Sequence, residues 1–388
     1  MRIEPPPFRD DAALGRIWDA LPSARVVGGA VRDSLAGRPV ADIDLTTPLP
    51  PEAVMTALRT AGVRVVPTGL AHGTITATLD GRGFEITTLR RDVQTDGRHA
   101  VVAYTGDFRE DAARRDFTIN AMSMERDGSV FDYFGGVDDL RAGRVRFVGD
   151  PVRRIAEDYL RILRFFRFYA RYATAAPDRT TIEALRNGVP GLARLSKERV
   201  WQELRLILAI PAPDASVALM HRLGVWRAVM PDATRRERLD DLPPDPILRL
   251  AAMLTGDPEA LAARLKLSNE DRDRLSRLCV TPSVPATADD GTLRRLLADH
   301  RKADLVGRTW LDHAPSALRD RIEAMAVPVF PLEGRDVLAI GIPAGREVGA
   351  LLAAVRRWWL DSGCTADRAA CLGELARQAE RFKIMPKR

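Results

Sequence analysis

Two adjacent glycines, Gly28 and Gly29, separate an apolar strand pattern at residues 25–27 from a helical pattern at residues 30–35. Glycine adopts backbone angles that other residues avoid, so the pair predicts a tight turn from a strand into a helix. Backbone N–H groups at such a turn form a cradle for phosphate, and Arg32 can add a charge-assisted contact. The alternative is a structural turn with Arg32 in solvent.

Two carboxylates follow the glycine turn, one residue apart on a strand predicted over residues 40–46. Because side chains alternate faces along a strand, Asp42 and Asp44 point the same way, while Ile43 points into the core. Adjacent carboxylates repel each other unless a cation lies between them. Mg²⁺ fits, since it takes a few carboxylates and keeps places for phosphate oxygens. A solvated strand end is the simpler interpretation of these two residues.

A third carboxylate, Glu85, lies on a strand predicted over residues 84–89. Near a metal ion it can take the proton from an attacking hydroxyl or help position a second ion. The alternative is a solvent-facing strand residue paired with Arg90 or Arg91.

The pattern of predicted secondary structure changes at about residue 153. Before it, strand and helix patterns alternate, with a polar, aperiodic segment at residues 90–109 that predicts a loop. After it, amphipathic helical patterns continue to the end of the chain. These patterns predict an α+β domain over residues 1–150, followed by helices.

Composition limits the classes of partner. The 388 residues carry a net charge of +6, a mild indication of a polyanionic partner. The 3 cysteines fit neither a zinc site nor a disulfide framework, which favours a reducing cytoplasm. No apolar run reaches the length of a membrane span, so no membrane partner is expected.

A helix predicted over residues 111–124 carries two consecutive arginines. Arg115 can reach the phosphates, and Asn120 can bind a ribose hydroxyl or hold a loop. Asp116 is the candidate salt-bridge partner that orients Arg114 and Arg115. Paired arginines on a helix are otherwise typical of a solvated face.

A later helix places Asp158, Arg161, Arg164 and Arg167 at i, i+3 spacing on one slowly drifting stripe. A carboxylate accepts from an exocyclic amino group, and a guanidinium donates to a ring nitrogen or carbonyl. Cytosine and adenine offer an amino group beside an acceptor, whereas uracil and guanine offer a carbonyl beside an N–H group. Each mismatch leaves polar groups unpaired at a cost of about 1–3 kcal/mol. Asp158 and Arg161 could therefore select C and A, although a charged outer helix face remains the alternative.

These segments together resemble the class II tRNA nucleotidyltransferases, the CCA-adding enzymes of bacteria and eukaryotes, and their bacterial poly(A) polymerase relatives. The resemblance covers roughly residues 20–210, with the motifs in the family's order. It includes the loop at residues 68–74, Asp132-Tyr133 with Gly135-Gly136, and Ser196-Lys197-Glu198-Arg199.

The resemblance implies a polymerase-β-like nucleotidyltransferase head (a mixed sheet with helices) over residues 1–150. A nucleotide-selecting helical neck follows over residues 151–215, and a tRNA-binding helical body and tail over residues 216–388. It implies that Asp42 and Asp44 bind Mg²⁺ and that residues 90–109 form the family's flexible loop. The residues implied to bind the triphosphate or the incoming nucleotide are Gly29, Arg32, Arg115, Asp158, Arg161, Arg164 and Arg167.

The implied activity is template-independent addition of CCA to the 3′ end of tRNA from CTP and ATP. We expect a cytoplasmic enzyme that is a monomer rather than an oligomer and has no DNA partner. A poly(A) polymerase shares the head chemistry, although the loop at residues 68–74 looks like the CCA-adding form. A specialist that adds only CC or only A is a narrower alternative. A catalytically silent tRNA-binding protein is a rival of another class, and the intact pair of Asp42 and Asp44 argues against it.

Overall fold

The computed structural model describes residues 1–4, 7–8, 10–95, 100–231, 233 and 239–384. The chain divides into two compact units, Met1–Thr234 and Arg235–Arg388. Among the described residues, no helix is both long enough and apolar enough to cross a lipid bilayer.

The first unit contains a mixed sheet and a separate hairpin. Its strands are β1 (Arg25–Val27), β2 (Asp44–Thr47), β3 (Arg64–Gly69), β4 (Thr74–Leu79), β5 (Arg82–Thr88), β6 (Arg90–Thr95), β7 (Ala100–Tyr104), β8 (Ser123–Met124) and β9 (Val130–Phe131). The sheet has the order β3-β4-β5-β2-β1-β8-β9, and β6 pairs with β7 alone. Within the sheet β2 and β5 are parallel and the other neighbouring pairs antiparallel, which confirms the predicted mixed sheet.

Helices surround this sheet and then replace it along the chain. Those of the first unit are α1 (Ala12–Ala20), α2 (Gly29–Leu35), α3 (Pro51–Thr60), α4 (Phe108–Ala113), α5 (Gly136–Arg141), α6 (Pro151–Glu157), α7 (Leu160–Tyr172), α8 (Arg179–Gly188), α9 (Lys197–Leu208), α10 (Asp214–Leu223) and α11 (Val225–Val229). Short 3-10 turns at Leu70–His72, Thr118–Asn120 and Val189–Arg194 connect some of these elements.

All elements of the second unit in its described residues are helices or 3-10 turns, as the helical patterns after residue 153 predict. Its helices are α12 (Pro246–Met253), α13 (Pro258–Leu265), α14 (Asn269–Val280), α15 (Asp290–Asp299), α16 (Lys302–Leu311), α17 (Ser316–Ala324), α18 (Gly334–Ala339), α19 (Arg346–Asp361) and α20 (Arg368–Ile384), with a 3-10 turn at Leu239–Asp241. Apolar stripes of α19 and α20 form one of its cores, whose fully buried members include Leu351, Val355, Cys371 and Leu375.

One apolar core lies under the sheet, and an aromatic cluster attaches α7 to the sheet domain. The sheet core includes Leu14, Ile17, Leu45, Ile75, Phe84 and Ile86. In the cluster, Phe117 lies with its ring centroid 4.9 Å from that of Phe147 and 5.3 Å from that of Phe168 on α7. Ring pairs at this spacing add about 0.5–1.5 kcal/mol each beyond the area they bury. The cluster therefore determines which face of α7 meets the segment around Phe117.

Four predicted elements differ from the structure, and the first is the aspartate strand. Strand β2 begins at Asp44, because pairing with β1 begins there and pairing with β5 at Leu45, so Asp42 precedes the strand. Ile43 and Leu45 are buried, as predicted.

The predicted loop at residues 90–109 is also wrong, since β6, β7 and the start of α4 occupy it, with residues 96–99 outside the described chain. Strand pairing is a contact between distant residues, which local periodicity does not report.

The predicted helix over residues 111–124 ends at Ala113. Phe117 adopts extended angles (φ −123°, ψ 149°) so that its ring enters the aromatic cluster, and burial here overrides local helix propensity.

The predicted continuous helix through residue 158 is also interrupted. Asp158 is extended (φ −155°, ψ 108°), and its Oδ1 accepts a hydrogen bond from the Leu160 N–H at 3.1 Å. Asp side chains compete with helical hydrogen bonds in this way.

Candidate active site

A cavity of about 490 Å³ in the first unit brings most of the predicted site residues together. The predicted residues that line it are Gly28, Gly29, Arg32, Asp44, Arg115, Asp158, Arg161 and Arg164. Arg114, Asp116, Asn120, Leu160, Phe168 and Arg199 complete its lining. Asp42, Glu85 and Arg167 are not part of this lining. Residues more than a hundred positions apart thus share one cavity.

Three carboxylates, Asp42, Asp44 and Glu85, interact electrostatically near the start of β2, and of these only Asp44 lines the cavity. Leu45 is in register with Ile86 across the parallel pair β2–β5, which places Asp44 and Glu85 at neighbouring positions of adjacent strands. Asp44 is solvent-exposed, but the surrounding protein partly desolvates its carboxylate and so raises its pKa, the negative charges of Glu85 and Asp42 raise it further, and the Arg115 guanidinium opposes them. The carboxylate charges therefore repel each other, and a cation would relieve that repulsion.

The carboxylates of Asp42, Asp44 and Glu85 are suitable ligands for a metal ion, although they do not form a complete ligand set. Among the described residues, no three His, Cys, Asp or Glu side chains form a cluster ready to hold a metal ion. Mg²⁺ is usually bound by one or two carboxylates, with the remaining places taken by water and substrate phosphate. Asp44, with Asp42 two residues before it, fits this pattern better than that of a closed structural site.

The glycine turn from β1 into α2 forms as the sequence predicts, but the Gly28 N–H is hydrogen-bonded to a backbone carbonyl and is not free for phosphate. Gly28 has φ +65° and directly precedes α2, and its N–H donates to the Met122 carbonyl at 3.2 Å. A Cβ at this position would lie 3.1 Å from Arg115 Nη1. The turn thus needs glycine both for its backbone angle and for the close approach of a guanidinium.

Arg32 is buried, so the alternative that places it in solvent is wrong. Its side chain is 8% exposed and forms two hydrogen bonds to Asp33, at 3.1 and 3.0 Å. Its Nη1 donates to Asn120 Oδ1 at 2.5 Å, and its guanidinium lies 4.5 Å from the Tyr172 ring centroid. These contacts hold the guanidinium at the cavity wall.

A buried carboxylate, Asp111, holds both arginines of the Arg114-Arg115 pair. Its Oδ1 accepts from Arg114 Nε at 2.9 Å, and its Oδ2 from Arg115 Nη2 at 3.3 Å. Burial alone would raise the pKa of Asp111, but the two guanidinium groups hold it below its usual range. The predicted role of Asp116 as the partner of this pair is therefore wrong.

Asp116 instead links the sheet domain to α7. Its Oδ2 accepts from Arg164 Nε at 2.7 Å, and its Oδ1 from Asn120 Nδ2 at 3.0 Å. Burial alone would raise the pKa of Asp116, but the charge of Arg164 and the Asn120 hydrogen bond hold it below its usual range. Because Asn120 also accepts from Arg32, these bonds connect Arg32 to Arg164.

The two residues predicted to recognise the base face the cavity, but each has another partner. Asp158 Oδ2 accepts from Arg199 Nη2 at 2.7 Å. Arg161 Nη1 donates to Glu157 Oε2 at 2.7 Å and to the Arg154 carbonyl at 2.9 Å. The two groups are thus held separately, each by its own charged neighbour.

Arg167 lies outside the cavity lining, because its side chain turns towards α9. Its Nε is 3.2 Å from Glu203 Oε2, and Arg164 Nη1 is 3.7 Å from Glu203 Oε1. Burial raises the pKa of Glu203, and the charges of Arg167 and Arg164 oppose that rise. Arg167 therefore forms an ion pair with Glu203 on α9 and does not line the cavity.

Sequence reasoning missed Asp111 and the role of Arg199. Asp111 has a local signal, since it lies three and four positions before Arg114 and Arg115, the spacing of neighbours on a helix face. Arg199 has none with respect to Asp158, because 41 positions separate them and only the packing of α9 brings them together.

Comparison with known proteins shows the family of this chain. The family described as "Poly A polymerase head domain" matches residues 24–146, and that described as "Probable RNA and SrmB- binding site of polymerase A" matches residues 176–236. The chain is 39% identical over 362 residues to "CCA tRNA nucleotidyltransferase 1, mitochondrial" of Danio rerio, covering 87% of this chain and 83% of that protein. The human protein of the same name is 38% identical over 361 residues, with the same coverage.

A solved structure shares the fold along nearly the whole chain. The Bacillus stearothermophilus CCA-adding enzyme in complex with CTP superimposes with a TM-score of 0.79 at 24% identity, covering 98% of this chain and 99% of that one. This likeness confirms the predicted polymerase-β-like head followed by helices. The chain belongs to the family of CCA tRNA nucleotidyltransferases and poly(A) polymerases.

Proposed function

We propose that this protein adds C, C and A to the 3′ end of tRNA from CTP and ATP, without a template. One observation carries the proposal: a single cavity has Asp44 in its lining together with Arg115, Asp158 and Arg161. Side chains suited to bind a metal ion, phosphate and a base therefore surround a space of about 490 Å³. Pockets of about 300–1,000 Å³ are typical for ligands of nucleotide size.

In this mechanism the chain's own residues position the two reactants. Arg32, Arg114 and Arg115 present positive charge to the triphosphate, and Asp111 keeps the last two in place. Asp42 and Asp44 would hold Mg²⁺, which when bound neutralises charge on the attacking and leaving oxygens. Glu85 is proposed to take the proton of the tRNA 3′-hydroxyl or to assist the metal-binding carboxylates.

Nucleotide choice is assigned to Asp158 and Arg161. The Asp158 carboxylate accepts from the amino group of cytosine or adenine, and the Arg161 guanidinium donates to the adjacent ring nitrogen. Uracil and guanine present a carbonyl and an N–H group in the opposite arrangement. Each would leave buried polar groups unpaired at a cost of about 1–3 kcal/mol.

The domain assignment follows the same proposal. Residues 1–150 form the catalytic head, residues 151–215 the nucleotide-selecting neck, and residues 216–388 the tRNA-binding body and tail. The shape of the acceptor end would define the substrate, as is general for structured RNA. A cytoplasmic location and a monomeric state stay predictions, and the vertebrate relatives have names that place them in mitochondria.

The decisive experiment offers single nucleotides and Mg²⁺ to tRNA transcripts that end at the discriminator base, at C or at CC. Growth by CCA followed by arrest supports the proposal. A long ladder of A on generic RNA would replace it with poly(A) polymerase activity, and arrest after CC or addition of A alone would identify a specialist. No incorporation at all would favour a tRNA-binding protein without activity.

Replacing Asp158 by alanine is expected to weaken discrimination against UTP and GTP more than it weakens triphosphate binding. The lost carboxylate recognises the base edge, whereas the triphosphate keeps Arg32 and Arg115. The ratio of kcat/KM for CTP over UTP should fall about tenfold or more. An unchanged ratio accompanied only by lower thermal stability would leave Asp158 as a structural residue.

Replacing Asp111 by asparagine should raise the KM for CTP and ATP together. Asp111 accepts from two guanidinium groups on its two different oxygens, whereas asparagine has one acceptor oxygen and an NH2 donor in place of the other, so one of the two hydrogen bonds is lost. Loss of one charge-assisted hydrogen bond, about 1.5–3 kcal/mol, predicts a rise of about tenfold in KM. The CTP-to-UTP selectivity should not change, and a loss of selectivity would contradict this assignment.

A further inference from the structure

The carboxylate of Asp158 accepts a hydrogen bond at each of its two oxygens. Oδ1 accepts from the Leu160 backbone N–H at 3.1 Å, and Oδ2 accepts from Arg199 Nη2 at 2.7 Å. Arg161, the neighbour expected from helix spacing, is bound instead to Glu157. The partner that orients the base-recognising carboxylate therefore comes from another helix.

Arg199 is itself placed by the start of α9. Ser196 precedes that helix, and its Oγ accepts from the Arg199 backbone N–H at 3.4 Å. The Arg199 side chain is 31% exposed and that of Asp158 is 25% exposed, and both line the cavity. The ion pair thus lies on the cavity wall, where a nucleotide can reach the carboxylate.

The chemistry of a carboxylate explains why this orientation matters. An ionised carboxylate has about four lone-pair positions, of which Leu160 and Arg199 use two. A free carboxylate can rotate about its terminal torsion, which is broad and roughly two-fold. Two donors on different oxygens stop that rotation and direct the remaining lone pairs to one place.

We propose that Arg199 is a specificity-determining positioning residue: it holds Asp158 so that a free lone pair meets the exocyclic amino group of cytosine or adenine. This inference rests on the proposed function. Arg199 acts through Asp158 and contributes to nucleotide choice rather than to the transfer step. Loss of Arg199 should therefore reduce selectivity before it reduces the rate with the correct nucleotide.

The test compares full-length Arg199→Gln and Arg199→Lys with Arg205→Gln, the same substitution at an exposed position of α9. The substrates are a tRNA transcript that ends at the discriminator base, with CTP or UTP, and one that ends at CC, with ATP or GTP. Arg199→Gln should lower both ratios of correct to incorrect kcat/KM by about tenfold, with a smaller change in kcat for CTP and ATP. Lysine provides a charge without a planar fork, so its ratios should be intermediate.

A double variant tests whether Arg199 works through the carboxylate. Asp158→Ala and Asp158→Ala/Arg199→Gln should have the same selectivity, because the group that Arg199 orients is gone. Equal losses of kcat/KM for all four nucleotides in Arg199→Gln, or wild-type ratios in both single variants of Arg199, would overturn the inference. If Arg199→Gln melts before the assay temperature, a wild-type ratio in Arg199→Lys overturns it.

The outcomes also separate this inference from the proposed function. A wild-type protein that adds nothing to any transcript defeats the proposed function. A wild-type protein that adds CCA, together with an Arg199→Gln variant that is equally selective, defeats only the role of Arg199.

Discussion

Replacing Asp44 by asparagine is expected to abolish nucleotide addition while leaving the fold intact. In the proposed function Asp44 supplies negative oxygen to a divalent cation next to the triphosphate, and an amide has no charge. Metal-assisted stabilisation contributes several kcal/mol, so kcat should fall about 10³-fold or more. Single-turnover addition of CMP to a tRNA transcript measures this directly.

Thermal stability distinguishes this result from unfolding. The charges of Glu85 and Asp42 help to raise the pKa of Asp44, so neutralising Asp44 removes repulsion in the folded state. The Tm of Asp44→Asn should therefore stay level or rise. Asp80→Asn is the matched control, since Asp80 lies at an exposed hairpin tip with φ +50°, an angle that asparagine accepts. An Asp44→Asn variant that keeps a tenth of the wild-type kcat would contradict the metal-binding assignment.

Replacing Asp116 by alanine should produce the largest loss of stability among the site residues. The Asp116 side chain is 9% exposed, and its removal leaves Arg164 and Asn120 without their acceptor. Removing one partner of a buried ion pair lowers the free energy of unfolding, here by about 3 kcal/mol. We take the lower end of the usual range because the Arg164 side chain is 33% exposed. For a unit of this size that is a fall of about 6–12 °C in Tm.

Calorimetry of three variants checks the physical cause. Asp138→Ala, at an exposed carboxylate, should change the unfolding free energy by less than about 0.5 kcal/mol. Asp116→Ala combined with Arg164→Met should be more stable than the sum of the two single changes predicts, since no unpaired charge is left. Strict additivity would show that the two side chains do not stabilise each other.

The same ion pair predicts a pH dependence. The pKa of Asp116 lies below its ordinary value of 3.8 in the folded protein, so the unfolded chain takes up the proton first. The stability that Asp116 contributes is fully present above that value and is lost as the pH falls through the folded-state pKa. The difference in unfolding free energy between wild type and Asp116→Ala should therefore be constant from neutral pH to about pH 5 and shrink below pH 3.8.

Local patterns predicted the elements whose residues are neighbours in the chain. The glycine turn into α2, the strand β5 around Glu85 and the buried position of Ile43 follow from backbone angles and alternation of side chains. The mixed sheet and the helices after it follow from the change in hydrophobic period. These features depend on interactions within a few residues, which a single sequence records.

The errors lie where distant residues decide the conformation. The segment after Ala113 leaves the helix because Phe117 is needed in a cluster with Phe147 and Phe168. The hairpin β6–β7 is held by pairing between its two strands, which polar composition does not indicate. In both segments the gain from distant contacts exceeds a weak local preference.

The sequence predicted which residues belong to the candidate site: two aspartates one residue apart, a glycine turn followed by an arginine, and a later pair of Asp158 and Arg161. It could not determine the pairing of those groups. Asp158 binds Arg199 rather than Arg161, because the chain breaks the helix at Asp158 and the packing of α9 brings Arg199 to within 2.7 Å. Side-chain pairing depends on distance in space, and only the tertiary structure sets distances between residues far apart in the chain.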